Sequence, residues 1–207
     1  MVKTGFIYDT AFLSHDTTPG HPECHERLLV TMSHLLSLPW FENLHQLSAK
    51  TVEENWLVTT HAGSYIQRAK ESCAANQPYL DSMDVNICPA SFDIALLAAG
   101  APIVLADAVL EEKIDNGFVL ARPPGHHAER NQAMGFCLFN NVAILARYLQ
   151  QHHQINKVLI LDWDVHHGNG SQHTFKEDPS VLYISAHEFP YYPGTGAYSE
   201  TGIGKGD

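Results

Sequence analysis

The chain has 207 residues, enough for one domain with a substantial core. Hydrophobic residues make up 44% and charged residues 17%, a globular composition that argues against disorder. The formal charge of −11, from 12 basic and 23 acidic residues, argues against a nucleic-acid surface, which needs clustered cations, and is compatible with a cationic substrate.

Gly5-Phe6-Ile7-Tyr8 predicts a first strand, and Ser14 to Glu26 predicts a loop punctuated by Pro19, Gly20 and Pro22. From Glu26 to Leu38, the apolar residues Leu28, Leu29, Met32, Leu35 and Leu36 share one helical face, and Pro39 ends the segment. Trp56-Leu57-Val58 fits a strand or the approach to a helix over His61–Ala75. Ser91 to Leu110 predicts a helix that Pro102 kinks or divides. Phe118-Val119-Leu120-Ala121 predicts a buried strand, and Asn140 to Gln151 a helix with Val142, Leu145, Ala146 and Leu149 on one side. Val158–Leu161 and Val181–Ser185 predict two more strands.

Strands alternating with helices imply one α/β domain over residues 1–207, a parallel sheet with helices on both faces. In such sheets the chemistry gathers beyond the carboxyl ends of the strands, where the polar clusters here fall. Cys24, Cys73, Cys88 and Cys137 form no C-x-x-C pair, which predicts reduced thiols. The N-terminus has no signal-peptide pattern, and no apolar run approaches the roughly 18 residues of a membrane span. The expectation is a soluble, cytoplasmic protein. The final residues, Gly202-Ile203-Gly204-Lys205-Gly206-Asp207, predict a chain that stops before a closing element.

Two clusters carry chemistry. The strand Val158–Leu161 runs into Asp162-Trp163-Asp164-Val165-His166-His167-Gly168-Asn169-Gly170. If the extended backbone persists, Asp162, Asp164 and His166 project together. Paired carboxylates on a buried strand repel unless a cation or proton intervenes, and Asp with His suits zinc, iron, cobalt or manganese. The second cluster is Arg122-Pro123-Pro124-Gly125-His126-His127-Ala128, where the prolines stiffen a loop and Gly125 allows an unusual turn. Either imidazole there suits general acid–base work beside a metal. His34, His45 and the pair His152-His153 read instead as solvated surface.

These motifs, in this order, resemble the histone deacetylase family, including its class II enzymes, bacterial deacetylases and acetylpolyamine amidohydrolases. The likeness extends through Gly135-Phe136-Cys137-Leu138-Phe139-Asn140-Asn141, Tyr192-Pro193-Gly194-Thr195-Gly196 and the early His21-Pro22-Glu23 with Glu26-Arg27-Leu28. The resemblance implies an arginase–deacetylase fold and a zinc-dependent amidohydrolase acting on acetyl-lysine or acetylated polyamines and small amines. It implies Asp164 and His166 as two zinc ligands, and His126 as general base with Asp162 as its partner. It implies His127 as the second histidine, oriented by Asn169, the class II residue at that place. Phe136 and Tyr192 would wall the acyl-lysine channel, although core packing is an equal reading of both. Asp162, Asp164, His166, Ser185 and the Ala186 carbonyl would hold a structural potassium ion. The family's third zinc ligand, a later Asp, and its later carbonyl-polarising Tyr have no counterpart in the chain. Hence the competing expectation is a truncated, non-catalytic protein or acyl-lysine-binding module. A two-manganese ureohydrolase fits the His-His loop and single Asp-x-His poorly.

Overall fold

The computed structural model describes residues 2–206. In chain order the elements are β1 (Thr4–Ile7), α1 (Glu26–Leu36), β2 (His45–Leu47), α2 (Glu54–Leu57), α3 (Gly63–Ala74), α4 (Ser91–Leu110), β3 (Asn116–Val119), α5 (Asn141–Gln151), β4 (Val158–Asp162), α6 (Asn169–Phe175) and β5 (Val181–Ser185). All pairing between these strands is parallel. One sheet has the order β2-β1-β3, and β4 pairs with β5 separately, Val158 opposite Val181 through Asp162 opposite Ser185. Asp207, where the sequence ends, lies outside the described residues.

The helix α4 organises the core. It packs on β1 and β3, on α3 and on α5, and α5 in turn packs on β4, so the two helices together link the sheets. Its Ala95, Ala98, Ala99 and Ala101 are buried, and small side chains let the neighbouring elements approach closely. Its length and apolarity match those of a membrane span, but here it is the packed centre of the domain. It also runs unbroken through Pro102, so the expected division does not occur.

Several sequence expectations are corrected. Of the apolar face of α1, only Leu28 is buried, while Leu29 and Leu36 are exposed. Trp56–Val58 ends a short helix rather than forming a strand. The buried side of α5 is Ala143, Ile144, Ala146 and Tyr148, rotated from the predicted face, and Val142 is exposed. Phe118 of β3 is 55% exposed rather than buried. On β4 and β5, Val158 and Ile160 pack with Phe175 and Val181, whereas Leu159, Leu161, Leu182 and Ile184 face outward. His153 is not free surface, because its Nε2 lies 2.7 Å from Asp107 Oδ1. His34 and His45 are exposed, as expected.

Two buried histidines make stability depend on pH. His15 Nδ1 meets Ser91 Oγ at 2.7 Å, and His61 bridges the Glu129 carbonyl at 2.8 Å and the Asn140 amide at 2.9 Å. Burial lowers the pKa of each from 6.5 to about 4. Each is therefore neutral when folded and protonated when unfolded across that window, so the unfolded chain binds more protons. Stability is complete above pH 6.5 and falls as pH drops towards 4. From pH 7 to pH 5 we expect a loss on the order of 2 kcal/mol for each histidine. Urea midpoints at the two pH values check this, and an unchanged midpoint contradicts it.

Candidate active site

The strand β4 ends at Asp162, and the chain does not continue extended as the sequence suggested. It folds onto its own carboxylates. The Asp164 amide donates to Asp162 Oδ1 at 3.2 Å, and the His166 amide to Asp164 Oδ1 at 2.8 Å. Such Asp-to-backbone bonds two residues ahead are local turns, and here they replace the strand geometry. They still bring Asp164 Oδ1 within 3.0 Å of His166 Nδ1. The Asp162 carbonyl accepts from the Ala186 amide at 2.9 Å, which holds the segment against the end of β5.

His126 and His127 enter from the loop after β3. Gly125 is not in the left-handed region, so the expected unusual turn is absent there. Its need is space, since a Cβ would lie 2.6 Å from the Asn141 nitrogen and 2.8 Å from the Phe139 oxygen. The loop is anchored from behind by Arg122, fully buried, whose Nε and one terminal nitrogen each donate to Glu23 at 2.8 Å. The other terminal nitrogen donates to the carbonyls of Phe12 and His15.

His126 Nδ1 donates to Asp162 Oδ2 at 2.8 Å, and the Tyr183 hydroxyl donates to the same oxygen at 2.9 Å. A carboxylate can only accept, so the proton sits on Nδ1 and Nε2 is free to take one. Burial pushes the Asp162 carboxyl up, but His126, Tyr183 and the Asp164 amide outweigh it and leave it below the ordinary value. His127 Nδ1 donates to Asn169 Oδ1 at 2.8 Å, the Asn169 amide group being turned towards Glu129. Burial, with His126 beside it, lowers His127 to about 4. The two rings lie 4.0 Å apart between centroids, and His127 is 6.0 Å from His166.

These groups share one cavity of about 460 Å³, lined by His126, His127, Asp164, His166, Phe136 and Tyr192 together with Glu23, Arg27 and Asp84. Phe136 and Tyr192 therefore wall a cavity rather than fill the core. Gly135 and Phe136 both have positive φ, 57° and 67°, in a tight turn closed by the Cys137 amide on the Met134 carbonyl at 3.0 Å. A left-handed phenylalanine costs about 1–2 kcal/mol. Gly135 has no substitute, since a Cβ there would lie 2.1 Å from the His127 ring.

Asp164 and His166 are the donors able to hold a metal. Their side chains are 50% and 40% exposed, so the pair opens to solvent on one side. Among the described residues, no three His, Cys, Asp or Glu side chains converge on a metal position. Of the potassium set, the β4–β5 register brings Asp162 opposite Ser185, but the Ser185 hydroxyl is bonded to His187 Nδ1 at 2.8 Å. Sequence reasoning missed Glu129, Tyr183, Asp84 and the Glu23–Arg122 pair. Glu23 and Arg122 stood in the quoted motifs with no sign of their pairing, and Glu129 is the next charged residue after the His-His loop.

The model of the histone deacetylase domain matches residues 21–207. A probable deacetylase of Archaeoglobus fulgidus is 40% identical over 208 residues, covering 99% of this chain and 56% of that protein. Human polyamine deacetylase HDAC10 is 38% identical over 197 residues, covering 91% of this chain and 29% of its own. The crystal structure of the HDA15 HD domain superimposes with a TM-score of 0.92 at 36% identity, covering 99% of this chain and 59% of that one. The chain thus spans less than two thirds of these relatives. By domain, sequence and arginase–deacetylase fold, the chain belongs to the histone deacetylase family.

Proposed function

We propose that the chain supplies the proton-transfer dyad and two metal ligands of a zinc-dependent deacetylase acting on acetylated amines. The single observation that carries this reading is the convergence of the Asp162-paired His126 with Asp164 and His166 on one cavity. The chemistry of the donor set, one carboxylate oxygen and one imidazole nitrogen 3.0 Å apart, fits part of a zinc site. A metal held there would polarise an acyl carbonyl and acidify a bound water.

The protein's own groups do the rest. His126 takes a proton on Nε2, and Asp162 stabilises the cation that forms. The proton that His126 takes is the one the leaving amine needs, and His127, neutral with its hydrogen on Nδ1 towards Asn169, offers Nε2 as a hydrogen-bond acceptor beside it. Phe136 and Tyr192 offer apolar walls to a lysine-like methylene chain. The relatives named for polyamine deacetylation and deacetylation extend the proposal to acetylated polyamines as well as acetyl-lysine. A potassium ion at the Asp162–Ser185 level and a cytoplasmic location belong to the same proposal.

One observation favours a second reading, in which the chain by itself binds acyl groups without turnover. Two donors converge where zinc enzymes use three. Acetate release from an Nε-acetyl-lysine peptide and from an acetylated polyamine, by the zinc-supplemented 207-residue chain, separates the two. Chelator-sensitive release supports the hydrolase. Its absence, with the peptide still bound, supports the acyl-binding module.

A further inference from the structure

Asp84 lies in the polar segment before α4, in no motif, yet it reaches the cavity. Its Oδ2 accepts from the Gly135 amide at 3.0 Å and from the Tyr192 hydroxyl at 3.1 Å. Three stretches distant in sequence, 51 residues apart in one case and 108 in the other, thus meet on one carboxylate oxygen. Gly135 begins the left-handed turn that presents Phe136, and Tyr192 lines the same cavity, its ring edge-on to His127 at 5.0 Å. The other oxygen, Oδ1, is buried with no well-formed hydrogen bond among the described residues, the Ser82 hydroxyl being the polar group beside the carboxylate. Burying a carboxylate is unfavourable, so this one is poorly explained by stability alone.

We infer that Asp84 is a positioning residue that clamps Phe136 and Tyr192 at the separation a methylene chain requires. Charge strengthens both hydrogen bonds to it. Burial pushes its carboxyl up, but the Ser82 hydroxyl, the Gly135 amide and the Tyr192 phenol outweigh this, so it is ionised at neutral pH. The turn closes on its own Cys137–Met134 bond, and the Gly135 amide ties it to the segment before α4, to which the Ala133 amide is also bound through Asp81 Oδ2 at 2.8 Å. The tyrosine hydroxyl gives the Tyr192 wall the same tie. The inference rests on the reading of the cavity as an acyl-lysine channel, but the clamp can be tested without any ligand.

The test uses the full chain, with Asp84→Ala, Asp84→Asn and Tyr192→Phe. The first readout is amide hydrogen exchange at Gly135, resolved by NMR. We expect Asp84→Ala to speed it by about tenfold or more, Asp84→Asn to recover part of the protection through its amide oxygen, and Tyr192→Phe to change it little. The second readout compares binding of Nε-acetyl-lysine amide with that of N-methylacetamide, which lacks the methylene chain. Asp84→Ala and Tyr192→Phe should each weaken the former by about tenfold and the latter by less than about twofold. Should Asp84→Ala fail to fold, Asp84→Asn and Tyr192→Phe carry the comparison. Unchanged Gly135 exchange, or equal weakening of both ligands, overturns the clamp. If the wild-type chain binds neither ligand, the channel reading fails, and the exchange result still decides whether Asp84 holds the two loops.

Discussion

Replacing Arg122 by methionine should remove about 3 kcal/mol of stability, because Glu23 is then left buried with only the exposed Arg27, 3.3 Å from Oε1, to offset its charge. Both side chains are almost fully enclosed, and their bidentate contact is made at 2.8 Å through both carboxylate oxygens. Against a typical total of about 5–15 kcal/mol, that loss leaves a chain close to unfolding. The loss is also functional, since Arg122 immediately precedes the prolines that carry His126 and His127. Urea unfolding of the single and double variants is the check. Arg122→Met with Glu23→Leu should be less destabilised than Arg122→Met alone, because no buried charge remains. A single variant as stable as the wild type would show that the pair does not anchor the loop.

The second large effect concerns rate. In any preparation of the chain that hydrolyses acetyl-lysine, His126→Ala should lower turnover by about 10²–10⁴-fold, the range for loss of a general base. Zinc content should stay near that of the wild type, because His126 is engaged with Asp162 rather than with Asp164 or His166. Asp162→Asn should fall in the same direction, since a neutral amide no longer stabilises the protonated ring. Wild-type turnover in His126→Ala would remove the residue from the mechanism.

The parts of this molecule that the sequence revealed are those with a period or a motif. Val158–Leu161 and Val181–Ser185 are apolar runs long enough to read as strands, and Ser91–Leu110 is a helix at the bounds the sequence indicates. The edge strand His45–Leu47 escaped because it is three residues long and mostly exposed. The helix Asn169–Phe175 escaped because Gly170 and five polar residues leave Phe175 as its one apolar position. Burial was overestimated for Phe118 and for Val142, because hydrophobicity alone does not say which face is covered.

At the site, the residue types and their order marked the right segments, but not the way they are held. The spacing of Asp162, Asp164 and His166 suggested one strand face, whereas two turns on the aspartates place the donors. Glu23 and Arg122 are 99 residues apart, and Asp84 lies 108 from Tyr192, so neither pairing leaves a local trace. His61 looked like the start of a helix, yet it is an enclosed pin between Glu129 and Asn140.

In the proposed site, Asp164 and His166 hold one cation in front of His126. Calorimetric zinc titration of the 207-residue chain, beside Asp164→Ala, His166→Ala and His126→Ala, tests it most directly. One ion should bind to the wild-type chain and to His126→Ala, and none with comparable affinity to the other two. Equal binding by all four proteins, or no binding by the wild type, would contradict it.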